Sequence, residues 1–190
     1  MKSLTRIFVA LLLAVSITFG SFHSNAHAAS ASPLPIPSIR INGNTTFDEI
    51  AKNIRFDRKY TILVANKTGR TLQRAGVYND SFTTWPLGDV ESNSAVGQQF
   101  DGHPITNNFS FASNYRVEPG KNLQLTANFP TIGRRRIGLG NINQDGDSPA
   151  KKVWDNMNDS NDKAVNISPF QGRASIQQKD GSIIWYYEVK

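Results

Sequence analysis

The feature that most constrains the fold of this chain is a succession of short β-prone segments separated by turn residues, from Tyr60 to Val189. Each segment is rich in β-branched or aromatic residues and is bounded by Gly, Asn, Asp or Ser. Asp180-Gly181 between the last two is typical of a type I′ hairpin. The pattern predicts a mainly β chain, an antiparallel β-sandwich, with an antiparallel barrel as the alternative. The segments are 60–65, 71–78, 109–117, 122–129, 136–142, 172–178 and 182–189.

One or two short helices are expected beside the sandwich. Thr45 or Thr46 can cap a helix over 46–55, with acidic residues in its first turn. Its apolar residues recur at helical spacing. They are Phe47, Ile50, Ala51 and Ile54. A second short helix is predicted within the Asn- and Asp-rich stretch 145–168, around Val153 and Trp154.

The amino-terminal segment has the pattern of a secretory signal. Lys2 and Arg6 precede an apolar run at 7–19, and Ala26-His27-Ala28 fits a cleavage site. We therefore expect a signal peptide over 1–28, a Pro- and Ser-rich linker over 29–44 and a β-sandwich domain over 45–190. The predicted localisation is secreted, and the mature chain would carry a net charge of +4.

The composition argues against most catalytic and metal centres. The chain has no cysteine and three histidines, of which two lie in the predicted signal peptide. A zinc site of the His/Cys type and a cysteine nucleophile are therefore excluded from the mature chain. His103 follows Asp101-Gly102 and is expected in an exposed turn rather than in a catalytic triad. We predict that the protein is not an enzyme and carries no cofactor and no metal.

A calcium loop is a weaker alternative in the Asn- and Asp-rich stretch. Asn141, Asn143, Asp145 and Gly146 match the first half of an EF-hand loop, but Lys152 replaces the bidentate glutamate of its twelfth position. A polar loop without a metal is the favoured interpretation of this segment.

The densest charge in the chain is Arg134-Arg135-Arg136. Such a cluster suits the phosphate groups of lipid or nucleic acid, and for an exported protein lipid headgroups or anionic wall polymers are the better partners. The alternative is an edge strand protected from aggregation by charge. Trp85 and Trp154 are expected as loop aromatics that reach a membrane interface or a ligand.

Six short motifs occur in a fixed order between residues 45 and 190. They are Phe47-Asp48, Arg58-Lys59, Asn66-Lys67-Thr68-Gly69, Val117-Glu118-Pro119-Gly120-Lys121, Ser168-Pro169-Phe170-Gln171-Gly172 and Asp180-Gly181-Ser182. In this order they resemble the actinoporin cytolysins and the wider cytolysin/lectin β-sandwich superfamily. A fainter resemblance, to the YvgO-type secreted antifungal stress proteins, is carried by Lys59-Tyr60 and by the Asp180-Gly181-Ser182 ending.

The actinoporin resemblance implies a sandwich with a helix on each side, a lipid-headgroup pocket and an amino-terminal helix able to leave the body. It places Ser81 at the position of a pocket serine. Ser148, Pro149 and Trp154 would correspond to the family's Ser-x-Pro and aromatic loop.

These observations predict a secreted protein that binds cell surfaces or membranes, with a cytolytic or antimicrobial role as the finer expectation. Its expected partners are membrane lipid headgroups or cell-surface glycans, with oligomers on membranes and without nucleic acid. The alternative is a soluble lectin-like or inhibitory module with a carbohydrate or protein ligand. The predicted binding residues are Ser81, Trp85, Arg134, Arg135, Arg136, Ser148, Pro149 and Trp154.

Overall fold

The computed structural model describes residues 32–79, 85–103, 105–157 and 162–190. Two short helices and ten strands occupy this part of the chain. The helices are α1 (Phe47–Ala51) and α2 (Asp147–Asp155). The strands are β1 (Leu34–Arg40), β2 (Tyr60–Asn66), β3 (Gln73–Asn79), β4 (Ser94–Phe100), β5 (Phe109–Glu118), β6 (Lys121–Phe129), β7 (Arg136–Asn141), β8 (Asp162–Ile167), β9 (Phe170–Lys179) and β10 (Ser182–Val189).

The strands form two sheets that pack face to face. The larger has the order β1-β4-β2-β10-β9-β8, and the smaller has the order β3-β5-β6-β7. All pairings are antiparallel except that of β2 with β10, which are parallel neighbours at the centre of the larger sheet. The predicted mainly β sandwich with short helices is confirmed.

The two central strands of the larger sheet are buried on both faces. Tyr60, Ile62 and Val64 of β2 face the sandwich interior, whereas Leu63 and Ala65 face a second apolar cluster outside it. Strand β10 divides in the same way, because alternate side chains of a strand point to opposite faces. Trp185 and Tyr187 lie in the interior, while Ile184 and Tyr186 belong to the outer cluster.

Helix α1 covers that outer cluster. Thr46 caps it with both halves of a capping box: its hydroxyl accepts the Glu49 N–H, and the Glu49 carboxylate accepts the Thr46 N–H at 2.7 Å. Ile50 is fully buried against the sheet, and the Phe47 ring meets the edge of Tyr186 at 5.1 Å. The predicted cap and apolar face are present, but the helix is five residues long rather than spanning 46–55.

Helix α2 covers the outer face of the smaller sheet. Two glycines of β7 make room for it, since a Cβ at Gly140 would meet Val153 Cγ2 at 2.5 Å and one at Gly138 would meet Met157 Cβ at 3.1 Å. Thr126 of β6 lies beside Met157, within reach of its sulfur. The Asn- and Asp-rich stretch therefore contains the predicted second helix, seated directly on a sheet.

The predicted linker needs a correction. Residues 34–40 form β1, which pairs with β4 at the edge of the larger sheet, and Ile36 is buried in the outer cluster. Pro35 and Pro37 are compatible with this position because an edge strand leaves alternate N–H groups without a partner strand. The predicted signal peptide lies outside the described residues. No helix in the described part of the chain is long and apolar enough to cross a bilayer.

Candidate functional site

One end of the sandwich gathers the loops that carry its exposed apolar and basic side chains. Phe100 ends β4 opposite Tyr60, the first residue of β2, and Phe109 begins β5 opposite Phe129, the last residue of β6. The β4–β5 and β6–β7 loops therefore leave the sandwich at the same end as the β9–β10 hairpin. We call this surface the loop end. It comprises Leu34, 55–59, 101–103, 105–108, 130–136 and 179–181.

The large exposed hydrophobic side chains of the described residues all belong to the loop end. Ile132 in the β6–β7 loop is 91% exposed, Ile105 in the β4–β5 loop is 88% exposed, and Leu34 is 36% exposed. Leu34 lies here because it pairs with Gln99 near the end of β4. Single exposed apolar residues are common on protein surfaces, but a cluster at the tips of neighbouring loops marks an interaction surface.

Basic side chains surround these tips. The loop end has seven Lys or Arg residues against Asp57, Asp101 and Asp180, which leaves a net charge of +4. Two of the acids are engaged, since Arg55 pairs with Asp57 at 2.8 Å and Arg58 with Asp101 at 3.3 Å. The seven basic residues are Arg55, Arg58, Lys59, Arg134, Arg135, Arg136 and Lys179.

The three consecutive arginines lie in the β6–β7 connection. Arg134 and Arg135 precede β7, and Arg136 is its first residue. Arg134 and Arg136 are exposed and Arg135 is half-buried. No described carboxylate forms an ion pair with Arg134 or Arg135. Since β7 is an edge strand of the smaller sheet, the position fits the charge-protected edge as well as the phosphate-binding surface.

A layer of aromatic rings supports the loop end from below. The Phe109 ring contacts Trp185 at 4.8 Å, Phe100 at 4.9 Å and Tyr60 at 5.1 Å between centroids. Trp185 Nε1 donates to the Arg136 carbonyl at 2.9 Å and fixes the start of β7. Burial of the Tyr60 ring raises the pKa of its hydroxyl to about 12. The exposed loop tips thus rest on a closely packed apolar base.

The loop that carries Ile105 is organised by His103. Its Nδ1 accepts the N–H groups of Ile105 and Thr106, each at 3.3 Å, and its carbonyl accepts the Asn107 N–H at 2.7 Å. Tyr60 Oη donates to the Asn107 carbonyl at 3.2 Å and ties this turn to the aromatic layer. His103 begins a turn, as predicted, but it is half-buried rather than exposed, because its ring accepts hydrogen bonds from the loop backbone.

Trp85 is not an interfacial side chain, so this prediction is wrong. It is 1% exposed and packs in the interior against Phe111 and Tyr187, with its Nε1 donating to Tyr115 Oη at 2.9 Å. Burial of an indole is favourable when its N–H finds such a partner. The turn-rich sequence around Trp85 concealed this, because a loop that folds over a sandwich end can supply core side chains.

The segment predicted to be the Ser-x-Pro and aromatic loop is helix α2, which covers the smaller sheet. Ser148 is exposed in the first turn of α2, but Pro149 is buried there and cannot contact a ligand. The prediction for Pro149 is therefore wrong, because α2 turns this residue toward the sheet. Ser81 lies outside the described residues.

Trp154 keeps a partly exposed indole. Its Nε1 donates to Ser110 Oγ, and its ring meets Tyr78 edge-on at 5.5 Å. Lys151 Nζ lies 5.6 Å from the Trp154 centroid and 5.3 Å from that of Tyr78. Ser110 pairs across the sheet with Asn128, which pairs in turn with Arg136. Trp154 and Arg136 thus lie on the same outer face, two strands apart.

The segment that resembles half of a calcium loop has structural partners. Asp145 accepts from Asn122 Nδ2 at 2.7 Å and lies 3.6 Å from the Arg116 guanidinium. Gly146 N donates to the Ala75 carbonyl at 2.7 Å. No group of three or more His, Cys, Asp or Glu residues able to hold a metal ion occurs among the described residues. These contacts hold the start of α2 against β3 and β6.

Sequence reasoning found the arginines of the loop end but not its isoleucines. Ile105 and Ile132 stand alone in Pro-, Gly- and Asn-containing turns, so no periodic pattern draws attention to them. Their signal is an apolar residue at the centre of a predicted turn, where side chains are normally polar. Leu34 was obscured by its assignment to a linker.

Comparison with known proteins supports the fold. The sequence matches no protein-family model, and no curated protein is significantly similar to it. A solved structure with a similar fold is that of the lipid binding protein Nakanori, with a TM-score of 0.54 and 8% sequence identity. The similarity covers 75% of this chain and 76% of that chain. It establishes a shared β-sandwich fold, while the resemblance to the actinoporins stays a prediction.

Proposed function

We propose that this is a secreted protein that binds anionic lipid membranes through its loop end, and that it belongs to the actinoporin-like cytolysins. The observation that carries the proposal is the convergence of exposed Leu34, Ile105 and Ile132 with the arginines at 134–136 on one end of a rigid sandwich. The fold shared with a protein described as lipid binding supports the assignment. A cytolytic or antimicrobial outcome would follow from this adsorption.

Binding would occur in two physical steps. The guanidiniums first engage lipid phosphates, at about 1 kcal/mol for each basic residue near an anionic surface. The loop tips then enter the interface, where complete burial of an isoleucine side chain is worth about 1.5–3 kcal/mol. Because Ile105 and Ile132 together can contribute as much as the three arginines, salt should weaken binding without abolishing it.

Co-sedimentation with vesicles tests the proposal. The mature chain is mixed with phosphatidylcholine vesicles that contain or lack phosphatidylglycerol, in low and in moderate salt. Ile105→Ser/Ile132→Ser should weaken binding about tenfold or more to both compositions. Arg134→Gln/Arg135→Gln should weaken it about tenfold on anionic vesicles and little on neutral ones.

The matched control removes the same charge from the opposite end. Arg70→Gln/Lys121→Gln replaces two surface cations that pair with Glu118 beside the β5–β6 turn, and it should bind like the wild type. Absence of wild-type binding to anionic vesicles in low salt would overturn the proposal, as would equal losses in the control and the loop-end variants. Dye release from the same vesicles separates adsorption from the cytolytic role.

A further inference from the structure

A second basic surface lies away from the loop end, in a cleft on the outer face of the larger sheet. One wall is the turn before α1, at 43–46, together with Phe47. The floor is formed by β9 and β10, and the far wall by β8. The cleft has a volume of about 770 Å³, within the range of small-molecule sites. We call it the α1 cleft.

The α1 cleft is lined by four cations and one acid. Lys67 follows β2 and its side chain is 5% exposed, paired with Glu188 at 2.7 Å. The two opposite charges cancel, so this ion pair adds no net charge to the cleft. The net charge is then carried by Arg173 and Lys190, because Lys163 pairs with Ala174 and shares its inner face of the sheet.

Arg173 and Lys190 are the cations available to a ligand. Both are exposed, and neither forms an ion pair with a side chain in the described part of the chain. Helix α1 carries Asp48 and Glu49, neither of which lines the cleft, and Glu49 is engaged with Thr46 in the capping box. A guanidinium and an ammonium group that no described side-chain carboxylate pairs with are a favourable arrangement for an oxyanion.

The shape of the cleft favours a small molecule over a bilayer. Ala164 keeps the far wall low, because it pairs with Arg173 and lies on the same outer face. The Tyr186 ring, packed edge-on against Phe47, closes one side. Large exposed hydrophobic residues are absent from the lining, whereas those described elsewhere lie at the loop end. A concave basic surface without apolar tips accepts a soluble anion more readily than a membrane.

We propose that the α1 cleft binds a small soluble molecule that carries a phosphate monoester, with Arg173 and Lys190 holding the phosphate. Polar groups at 44–46 are placed to contact the hydroxyl groups of such a ligand. The site is independent of the membrane function proposed for the loop end, because the two surfaces share no residue.

Calorimetric titration with inorganic phosphate and with glycerol 3-phosphate tests the site on the full mature chain. Glycerol 3-phosphate should bind, and Arg173→Gln/Lys190→Gln should weaken it about tenfold or more. Ala164→Phe keeps every cation but extends a ring into the cleft from an exposed position of the edge strand β8, so it should weaken binding at least as much. Arg70→Gln/Lys121→Gln removes the same charge elsewhere and should leave the affinity unchanged.

Three results would overturn the proposal. They are absence of binding by the wild type, equal weakening in the control, and full binding by Ala164→Phe. Vesicle co-sedimentation of Arg173→Gln/Lys190→Gln separates the two sites and the two sources of phosphate. Unchanged adsorption supports a soluble ligand, whereas lost adsorption would assign the cleft to lipid headgroups and overturn the soluble-ligand assignment.

Discussion

The loop end and the α1 cleft are both basic, yet the residues around their cations differ. At the loop end the arginines stand beside Ile105 and Ile132, which project from turns almost fully exposed. In the α1 cleft Arg173 and Lys190 border a concave surface between the turn before α1 and strand β8, beside a tyrosine ring. Charge sign alone therefore does not identify a ligand. Convex apolar tips suit an extended interface, and a concave basic wall suits a single small anion.

The two regions also differ in what holds them in place. The loop end rests on interlocked aromatic rings inside the sandwich, whose contacts are apolar and extensive. The α1 cleft rests on a nearly buried ion pair and on a five-residue helix fixed by its cap. Substitutions in these supports should therefore change stability, and substitutions at the exposed residues should change binding.

The largest loss of stability is expected when the aromatic rings beneath the loop end are disrupted. Phe109→Ala removes a ring that contacts Tyr60, Phe100 and Trp185, and it should lower the free energy of unfolding by about 3–5 kcal/mol. Ile105→Ser/Ile132→Ser should change it by less than about 0.5 kcal/mol. Urea denaturation measures both. A comparable loss in the isoleucine variant would show that these tips have structural contacts, which would break the distinction between base and tip.

The next largest loss of stability is expected from the Lys67–Glu188 ion pair, which supports the α1 cleft. Lys67→Met leaves the largely buried Glu188 carboxylate without its cation, and we expect a loss on the order of 3 kcal/mol. Lys190→Gln, at an exposed cation of the same cleft, should cost less than about 0.5 kcal/mol. Thermal and urea unfolding of both variants give the comparison. If the two costs were equal, the ion pair would not be the structural base of the cleft.

The parts of this fold that the sequence predicts are those with local patterns. Alternation in 182–189 places Trp185 and Tyr187 on the buried face, and Thr45 or Thr46 followed by acidic residues predicts a capped helix, which begins after Thr46. The Asp180-Gly181 hairpin is present, with both residues at positive φ. In each case neighbouring residues determine the geometry, so a short window contains the necessary information.

The parts that sequence reasoning missed depend on distant partners. Strand β4 contains Gly97 and polar Gln99, yet it is a buried strand because Gly97 lets it approach Ile62 and Gln99 hydrogen-bonds the backbone of Arg55 and Asp57. The parallel pairing of β2 with β10 likewise has no local signature. The same limitation explains why Trp85 was expected at the surface while Ile105 and Ile132 were overlooked.

Alkaline pH should destabilise the fold at both regions, because each contains a buried tyrosine. Burial raises the pKa of Tyr60 at the loop end to about 12, and burial with the nearby Glu188 charge raises the pKa of Tyr186 in the α1 cleft. A raised native pKa means that stability is complete below the unfolded value near 10 and is lost as the pH rises from there toward 12. Tyrosinate absorbance and circular dichroism, followed together, should change in one cooperative transition. Early ionisation in a folded protein would contradict the burial of these rings.

The smallest effect is expected at the cap of α1, and it tests whether this helix is a fixed wall of the cleft. Thr46→Ala removes the hydroxyl that accepts the Glu49 N–H, and it should cost about 1 kcal/mol of unfolding free energy. A separate, pH-dependent contribution comes from the Glu49 carboxylate, whose pKa is lowered by the Thr46 backbone N–H and then by the Thr46 hydroxyl. That contribution is present above the ordinary carboxyl pKa and is lost as the pH falls through the lowered one. Thr46→Ser retains the hydroxyl and should restore most of the stability. If the cap defines the wall, Thr46→Ala should also weaken glycerol 3-phosphate binding, whereas vesicle adsorption at the loop end should stay unchanged.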